Sequence, residues 1–142
     1  MILYCDTSAL IKRYVDEEGS ARVNDLWDGS SAIATSVVAF AETLAALNRK
    51  RRENILVGKD YTRTAAQFKN DFSHCILVPV TSALNSAIET LVRAYPLRGF
   101  DAIHLASALV IRNADKSQML FACFDRTLNS AAASEGLRIG IS

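Results

Sequence analysis

Short apolar runs alternate along the chain with longer segments in which apolar side chains recur every three or four positions. The short runs predict strands and the longer segments predict helices. The predicted strands are Ile2–Cys5, Ala32–Ala34, Ile76–Val78, Leu120–Cys123 and Arg138–Ile141. The predicted helices are Ser20–Trp27, Ser36–Arg52, Tyr61–Phe72, Ser82–Ala94, Asp101–Asn113 and Thr127–Ser134. Because helices separate strands that are too apolar to have a solvated face, the pattern predicts an α/β fold with a mostly parallel central sheet and helices on both faces.

Length and composition narrow the class of protein. A chain of 142 residues, half of them hydrophobic, can bury roughly 70% of its unfolded surface and is expected to form one domain over residues 1–142. It has no apolar run of the ~20 residues that span a bilayer and no leader-like start, so we expect a cytoplasmic protein with no membrane partner. Three cysteines without a CxxC pair argue against a disulfide framework or a structural zinc site.

Two aspartates lie where predicted strands end. Asp6 closes the first apolar run, and Asp125 follows shortly after Cys123. Parallel α/β sheets bind ligands beyond the carboxyl ends of their strands, so both aspartates are candidates for a site. An aspartate in such a place is equally typical of a helix N-cap, and the same holds for Asp101. The sequence leaves the two interpretations open.

Glu42 lies in a helical segment that offers it no charge partner. The residues three and four positions away on either side are all valine or alanine, so no i,i+4 ion pair is available. A carboxylate in apolar surroundings is strongly destabilising unless it is compensated. We therefore expect Glu42 to bind a metal or to pair with a cation distant in sequence. If the metal interpretation holds, Glu42→Gln should leave stability unchanged or raise it.

Asp101 opens a segment that carries almost no charge. One turn later, His104 is expected to be a hydrogen-bonded histidine in the helix packing, because no His/Cys spacing typical of zinc is present. Two acids at strand ends and two on apolar helices could converge on one point, where their mutual repulsion would raise their pKa values. A hard cation would relieve that repulsion. All-oxygen coordination favours Mg²⁺ or Mn²⁺, which can activate a water to attack a phosphodiester.

Four stretches resemble, in order and approximate spacing, the acidic motifs of PIN-domain ribonucleases, and above all of the VapC toxins of toxin–antitoxin pairs. They are DTSALIKRY, SVVAFAETLAAL, LRGFDAIHLASAL and FACFDRTLNSAAASEGL, and they extend from Asp6 to Gly136. The resemblance implies a PIN-like (Rossmann-like) three-layer sandwich and an endoribonuclease that hydrolyses RNA with Mg²⁺ or Mn²⁺. It also implies a homodimer and a cognate antitoxin that covers the site.

The resemblance also implies roles for individual residues. The catalytic and metal-binding positions of the family correspond to Asp6, Glu42, Asp101 and Asp125. The hydroxyls that follow the first aspartate correspond to groups that support the ligands or position water, and here they are Thr7 and Ser8.

A basic cluster lies at the end of the predicted helix Ser36–Arg52. It consists of Arg49, Lys50, Arg51 and Arg52. Cations in the last turn of a helix complement its dipole and are usually solvated. The alternative is that they bind RNA phosphates, together with Lys12 and Arg13. The net charge of +1 does not by itself indicate a nucleic-acid-binding protein.

Other functions fit parts of the pattern. A phosphatase of the haloacid-dehalogenase type would use Asp6 as nucleophile, but Ser8 stands where that pattern has a second aspartate. A phospho-receiver domain would need paired acids after the first strand, which are not evident. A non-cleaving PIN fold that binds RNA or protein is the remaining alternative, although loss of one acid would be its mark and all four are present.

Overall fold

The computed structural model describes residues 1–114 and 118–142 and has a five-stranded sheet with helices on both faces. The strands are β1 Ile2–Cys5, β2 Ala32–Ser36, β3 Ile76–Val78, β4 Met119–Ala122 and β5 Arg138–Ile139. The helices are α1 Thr7–Tyr14, α2 Ser20–Asp28, α3 Ala39–Arg52, α4 Gly58–Ser73, α5 Asn85–Ala94, α6 Gly99–Ala114 and α7 Arg126–Ser134, and a 3₁₀ turn at Ser82–Leu84 precedes α5. The predicted α/β class is confirmed.

The order of the strands creates a crevice beside β1. The sheet runs β3-β2-β1-β4-β5, and all neighbouring strands are parallel. The chain builds outward from β1 through β2 to β3, and then returns to place β4 on the other side of β1. Connections therefore leave β1 and β4 in opposite directions, which opens a crevice at their carboxyl ends. Asp6 follows β1 at this point, and Asp125 follows β4.

Successive side chains of a strand point to opposite faces of the sheet, and different helices pack against the two faces. In β1, Ile2 and Tyr4 pack in a core with residues of α5, α6 and α7. Leu3 and Cys5 point the other way and pack with residues of α1 and α2. A third cluster around Phe68 joins α3, α4 and the end of α1. Because both faces are covered, the central strands are apolar throughout, as the sequence pattern indicated.

Several predicted boundaries differ from the structure. Ser36 does not begin a helix, because it is the last residue of β2 and pairs with Val78; α3 begins at Ala39. Helix α1 is not predicted by the hydrophobic pattern, since it is short and follows β1 with only Asp6 between them. The predicted strand Leu120–Cys123 lies one residue too far along. No helix in the described residues is long and apolar enough to cross a membrane.

Gly19 holds a backbone conformation that other residues adopt with difficulty. Its φ is +93°, and a Cβ there would lie 2.6 Å from Cε1 of Phe124. We expect Gly19→Ala to lower the free energy of unfolding by about 1–3 kcal/mol, because it adds backbone strain and displaces the ring. Urea unfolding measures the change. Gly99→Ala is the control, since its Cβ would meet no atom within 4 Å; a loss as large in the control would contradict this account.

Candidate active site

A cleft of about 710 Å³ lies beside the carboxyl ends of β1 and β4. It is lined by all four carboxylates singled out in the sequence, which are Asp6, Glu42, Asp101 and Asp125. These residues come from four separate stretches of the chain. The hydroxyl-bearing residues Thr7 and Ser8 line the same cleft.

Each of these carboxylates lies at the start of a helix. Asp6 and Asp125 are the N-caps of α1 and α7, and Oδ1 of each accepts a hydrogen bond from the backbone N–H three residues on, at 3.0 Å and 2.8 Å. Glu42 and Asp101 lie in the first turns of α3 and α6. The partial positive charge of a helix N-terminus stabilises a nearby carboxylate. Capping and a place in the cleft are therefore compatible for Asp6 and Asp125, whereas Asp101 is not an N-cap.

Asp6 is the most buried of the four, with 5% of its surface exposed. Its Oδ1 accepts a hydrogen bond from Oγ of Ser8 at 2.6 Å. The same Oγ accepts from the backbone N–H of Phe124 at 3.0 Å, which connects α1 to the segment that carries Asp125. Burial raises the pKa of Asp6, although the Ser8 hydrogen bond and the charge of His104 oppose the shift.

Glu42 finds its partners far away in the sequence. Its Oε1 accepts hydrogen bonds from Oγ1 of Thr7 at 2.7 Å and from Nε2 of His104 at 3.1 Å. On the other side of the imidazole ring, Nδ1 lies 2.9 Å from the hydroxyl of Tyr4. Burial raises the pKa of Tyr4 well above its ordinary value, so its hydroxyl stays protonated and donates to Nδ1. When Nδ1 accepts from Tyr4, Nε2 is the ring nitrogen that donates a proton to Glu42.

These contacts revise the expectation for Glu42. Burial raises its pKa, but the hydrogen bonds from His104 and Thr7 outweigh burial and lower the pKa overall. The charged form is therefore favoured in the folded protein, and these contacts predict that Glu42→Gln lowers stability, opposite in sign to the effect expected from the sequence. The prediction that His104 is a hydrogen-bonded histidine in the helix packing is confirmed, since only 2% of it is exposed.

Asp101 and Asp125 are close enough to repel each other. Burial raises the pKa of Asp101, and the charge of Asp125 raises it further, while His104 and Arg98 act in the opposite direction. Within residues 1–114 and 118–142, no lysine or arginine forms a salt bridge with any carboxylate of the cleft. The negative charge of the cleft is therefore only partly compensated by the protein.

The donor set of the cleft fits a hard divalent cation. Hydrogen bonds occupy one oxygen each of Asp6, Glu42 and Asp125 in the described structure, so further carboxylate oxygens are free to bind. Among the described residues, no group of three or more His, Cys, Asp or Glu side chains is placed so that it could hold a metal ion. Mg²⁺ commonly keeps several waters and binds through one or two carboxylates, so an open all-oxygen arrangement suits it.

The sequence reasoning missed several residues at or beside the cleft, among them Tyr4, Arg98 and Phe100. Tyr4 left a usable signal, because a tyrosine in a buried strand needs a hydrogen-bond partner for its hydroxyl. Arg98 and Phe100 lie just before Asp101 and line the cleft. The residues around them in the sequence do not indicate that they line the cleft, because their exposure depends on how α6 packs.

The six basic residues predicted to contact RNA do not line the cleft. Lys12 and Lys50 both pair with Glu17, at 3.0 Å and 3.6 Å, and Arg13 donates to Asn24 at 2.7 Å. The remaining three are exposed at the end of α3, and they are Arg49, Arg51 and Arg52. A role of these residues in binding RNA stays a prediction.

Known proteins share both the motifs and the fold of this chain. The PIN domain family matches residues 3–133. This chain belongs to the PIN-domain family. Two curated relatives of this chain are Ribonuclease VapC45 and Ribonuclease VapC49 of Mycobacterium tuberculosis. Each is 32% identical to this PIN domain over 138 residues, which cover 97% of this chain and 94% of the relative.

A solved structure supports the fold independently. The crystal structure of Mycobacterium tuberculosis VapC20, described as a toxin that cleaves the sarcin–ricin loop, superposes with a TM-score of 0.64. The two sequences are 23% identical, and the superposition covers 91% of this chain and 94% of VapC20. The resemblance inferred from the four acidic motifs and the PIN-like three-layer fold are thereby confirmed.

The opposite pKa shifts of Asp101 and Glu42 predict opposite effects on stability. Ionised Asp101 destabilises the metal-free protein above its folded pKa, so Asp101→Asn should raise the midpoint of thermal unfolding at pH 7 in EDTA. Glu42→Gln should lower the midpoint, because it removes hydrogen bonds that favour the charged form. Both differences should shrink as the pH falls towards 3, below the ordinary pKa values of about 3.9 and 4.3.

Calorimetry between pH 3 and pH 7 measures both effects. Added Mg²⁺ should raise the midpoint of the unmodified protein more than that of Asp101→Asn, since binding to the folded state alone is stabilising. Shifts of the same sign in the two variants at pH 7 would contradict the electrostatic account.

Proposed function

We propose that this chain is a metal-dependent endoribonuclease, the toxin of a type II toxin–antitoxin pair, and that it hydrolyses RNA phosphodiester bonds. One observation carries the proposal: four carboxylates line a single cleft at the edge of a parallel sheet, and no lysine or arginine of the described residues pairs with them. Membership of the PIN-domain family supports the class of reaction, as does 32% identity to proteins named ribonucleases.

The carboxylates would hold Mg²⁺ or Mn²⁺ through oxygens that the protein leaves free. When bound, the ion supplies a water of lowered pKa and stabilises the charge that develops on the phosphodiester. Asp6 and Asp101 are the ligands that we rank first, with Glu42 and Asp125 completing the set. Their partial desolvation strengthens their attraction for a cation, because charges interact more strongly away from bulk water.

Thr7, Ser8 and His104 would keep two of these carboxylates in place. Ser8 and Thr7 donate short hydrogen bonds to Asp6 and Glu42, at 2.6 Å and 2.7 Å. Each bond fixes one oxygen of its carboxylate and so directs the other. Groups that orient metal ligands in this way commonly affect metal affinity or activity about 10- to 100-fold.

The proposed function implies three binding partners for this chain. The substrate is RNA, the regulator is a cognate antitoxin that covers the cleft, and a second copy of the chain forms a homodimer. The names of the curated relatives and of VapC20 support the toxin class. We place the reaction in the cytoplasm, where RNA and a newly made antitoxin both occur. Lys12, Arg13 and the basic end of α3 remain candidates for phosphate contacts outside the cleft.

Neutralising the first or third acid should abolish cleavage without unfolding the protein. We expect Asp6→Asn and Asp101→Asn each to reduce Mg²⁺-dependent cleavage of a mixed RNA pool by roughly 100-fold or more. Asparagine is a good N-cap, so Asp6→Asn should retain the start of α1. Product gels in Mg²⁺, Mn²⁺ and EDTA measure the activity, with EDTA abolishing it. Asp25→Asn, exposed on α2 and outside the cleft, should keep the full rate.

Two outcomes would contradict the proposal that this chain is an enzyme. If the unmodified protein and Asp6→Asn cleave equally, the cleft is not the active site. If the folded protein binds RNA in Mg²⁺ or Mn²⁺ but cleaves none of the pool, the non-cleaving PIN module is the better description.

The toxin role makes a separate prediction in cells. Expression of the chain in a bacterial host should arrest growth, and expression of Asp101→Asn should not, because the variant lacks a carboxylate of the cleft. Co-expression with the product of a short reading frame immediately upstream of the gene should restore growth, and the two proteins should purify together. Unimpaired growth with an enzyme that cleaves RNA in vitro would leave the chemistry intact and remove the toxin role.

A further inference from the structure

Part of the lining of the cleft is apolar, and binding of a metal ion does not explain why. Ile88, Phe100 and Ile103 contribute apolar side chains to its lining, and Arg98 lines the same cleft. Phe100 is 55% exposed, which leaves most of an aromatic ring in contact with solvent. A large apolar side chain held in water at the edge of a charged cleft points to a ligand that covers it.

The start of α6 places these residues and Asp101 together. The helix begins at Gly99, and the carbonyl of Arg98 accepts the backbone N–H of Ala102 at 3.0 Å. Asp101 lies in the same first turn. Successive residues of a helix point about 100° apart, so Phe100 and Asp101 can line the same cleft at different positions. An anchor at Phe100 would therefore lie within one helical turn of a carboxylate that we assign to the metal.

The charges of the cleft define the ligand more closely. An anionic chain would be repelled by four carboxylates unless a cation receives it. Arg98 lines the cleft and forms no salt bridge with a carboxylate in the described part of the chain. An aromatic face beside a guanidinium is a combination that binds the base and the phosphate of a nucleotide.

We propose that Phe100 stacks against an unpaired base of single-stranded RNA and that Arg98 holds an adjacent phosphate. This inference rests on the proposed ribonuclease function and assigns two residues of this chain to binding of its RNA substrate. Every base has a π-face, so stacking selects for an unpaired nucleotide more than for a sequence. In a duplex each base is stacked between its neighbours, and its face cannot reach a side chain. The volume of about 710 Å³ lies within the ~300–1,000 Å³ typical of ligand pockets.

Binding tests the inference directly, with Asp6→Asn present in every protein so that the RNA stays intact. The probe is a mixed-sequence oligoribonucleotide that contains 2-aminopurine, used single-stranded and as a duplex in Mg²⁺. Phe100→Ala should weaken binding of the single strand about 5- to 150-fold, the range expected for the loss of one base–aromatic stack, and should abolish quenching of 2-aminopurine. Phe100→Tyr should retain both. The duplex should bind more weakly and should not respond to Phe100→Ala.

Two further variants separate stacking from other effects. Arg98→Ala should weaken binding and reduce the slope of log affinity against log salt by about one, as expected for the loss of one phosphate contact. Val110→Ala is the matched control, because Val110 is also an exposed apolar residue of α6 and does not line the cleft. It should leave affinity and quenching unchanged.

Cleavage kinetics provide an independent readout in protein with an intact Asp6. Phe100→Ala should raise KM more than it lowers kcat, because it removes binding in both the ground state and the transition state. Phe100→Leu retains a large apolar side chain and so controls for effects on folding. Its midpoint of unfolding should be unchanged, and it should lose quenching of 2-aminopurine as the alanine variant does.

Unchanged affinity and quenching in Phe100→Ala would overturn the inference, as would equally tight binding of the duplex. A change in the mass of the protein in solution with unaltered RNA affinity would assign Phe100 to a protein contact and overturn it too. The two proposals fail separately. A protein that cleaves RNA but is insensitive to Phe100 refutes only the stacking, whereas Phe100-dependent binding without any cleavage refutes only the nuclease.

Discussion

The cost of keeping several carboxylates charged in one partly buried cleft is the constraint on which this end of the PIN domain depends. The fold places Asp6, Glu42, Asp101 and Asp125 around one cleft, and folding gains nothing from bringing like charges together. The protein compensates in part with helix N-termini and with hydrogen bonds from Ser8. The compensation is incomplete, because burial in the first place, and repulsion between the carboxylates in addition, raises the pKa values of Asp6 and Asp101. A site that remains electrostatically unfavourable on its own is one that a cation can stabilise.

A chain of hydrogen bonds connects this cleft to the core. Tyr4 lies in the central strand and contacts His104 of α6, which in turn contacts Glu42 of α3. Three elements that are far apart in sequence are thereby held in register by two buried side chains. Buried polar groups require satisfied partners, so displacement of one element would leave a hydroxyl or an imidazole unpaired. The core thus limits how far the acids can move away from one another.

The sequence by itself determined the class of fold and the identity of the acids. Short apolar runs are typical of strands in a parallel sheet, so β1 and β3 were predicted with their observed boundaries. Glu42 was conspicuous because its helical neighbours offer no charge partner. Both features depend only on residues that are close together in the chain, so they can be recognised in a single sequence. Helix α1 was missed because only one residue separates it from β1, and Ser36 was misassigned because pairing with β3 outweighed its tendency to cap a helix.

Only the tertiary structure decided which side chains meet. Capping and a place in the cleft were alternatives for Asp6 and Asp125 in the sequence, and the fold makes them compatible because helix starts gather where the strands of a parallel sheet end. The pairing of Glu42 with His104 spans 62 positions, a distance over which no spacing rule operates. The exposure of Phe100 likewise depends on the packing of α6. Contacts between distant segments follow from the topology of the sheet, which periodicity along the chain does not encode.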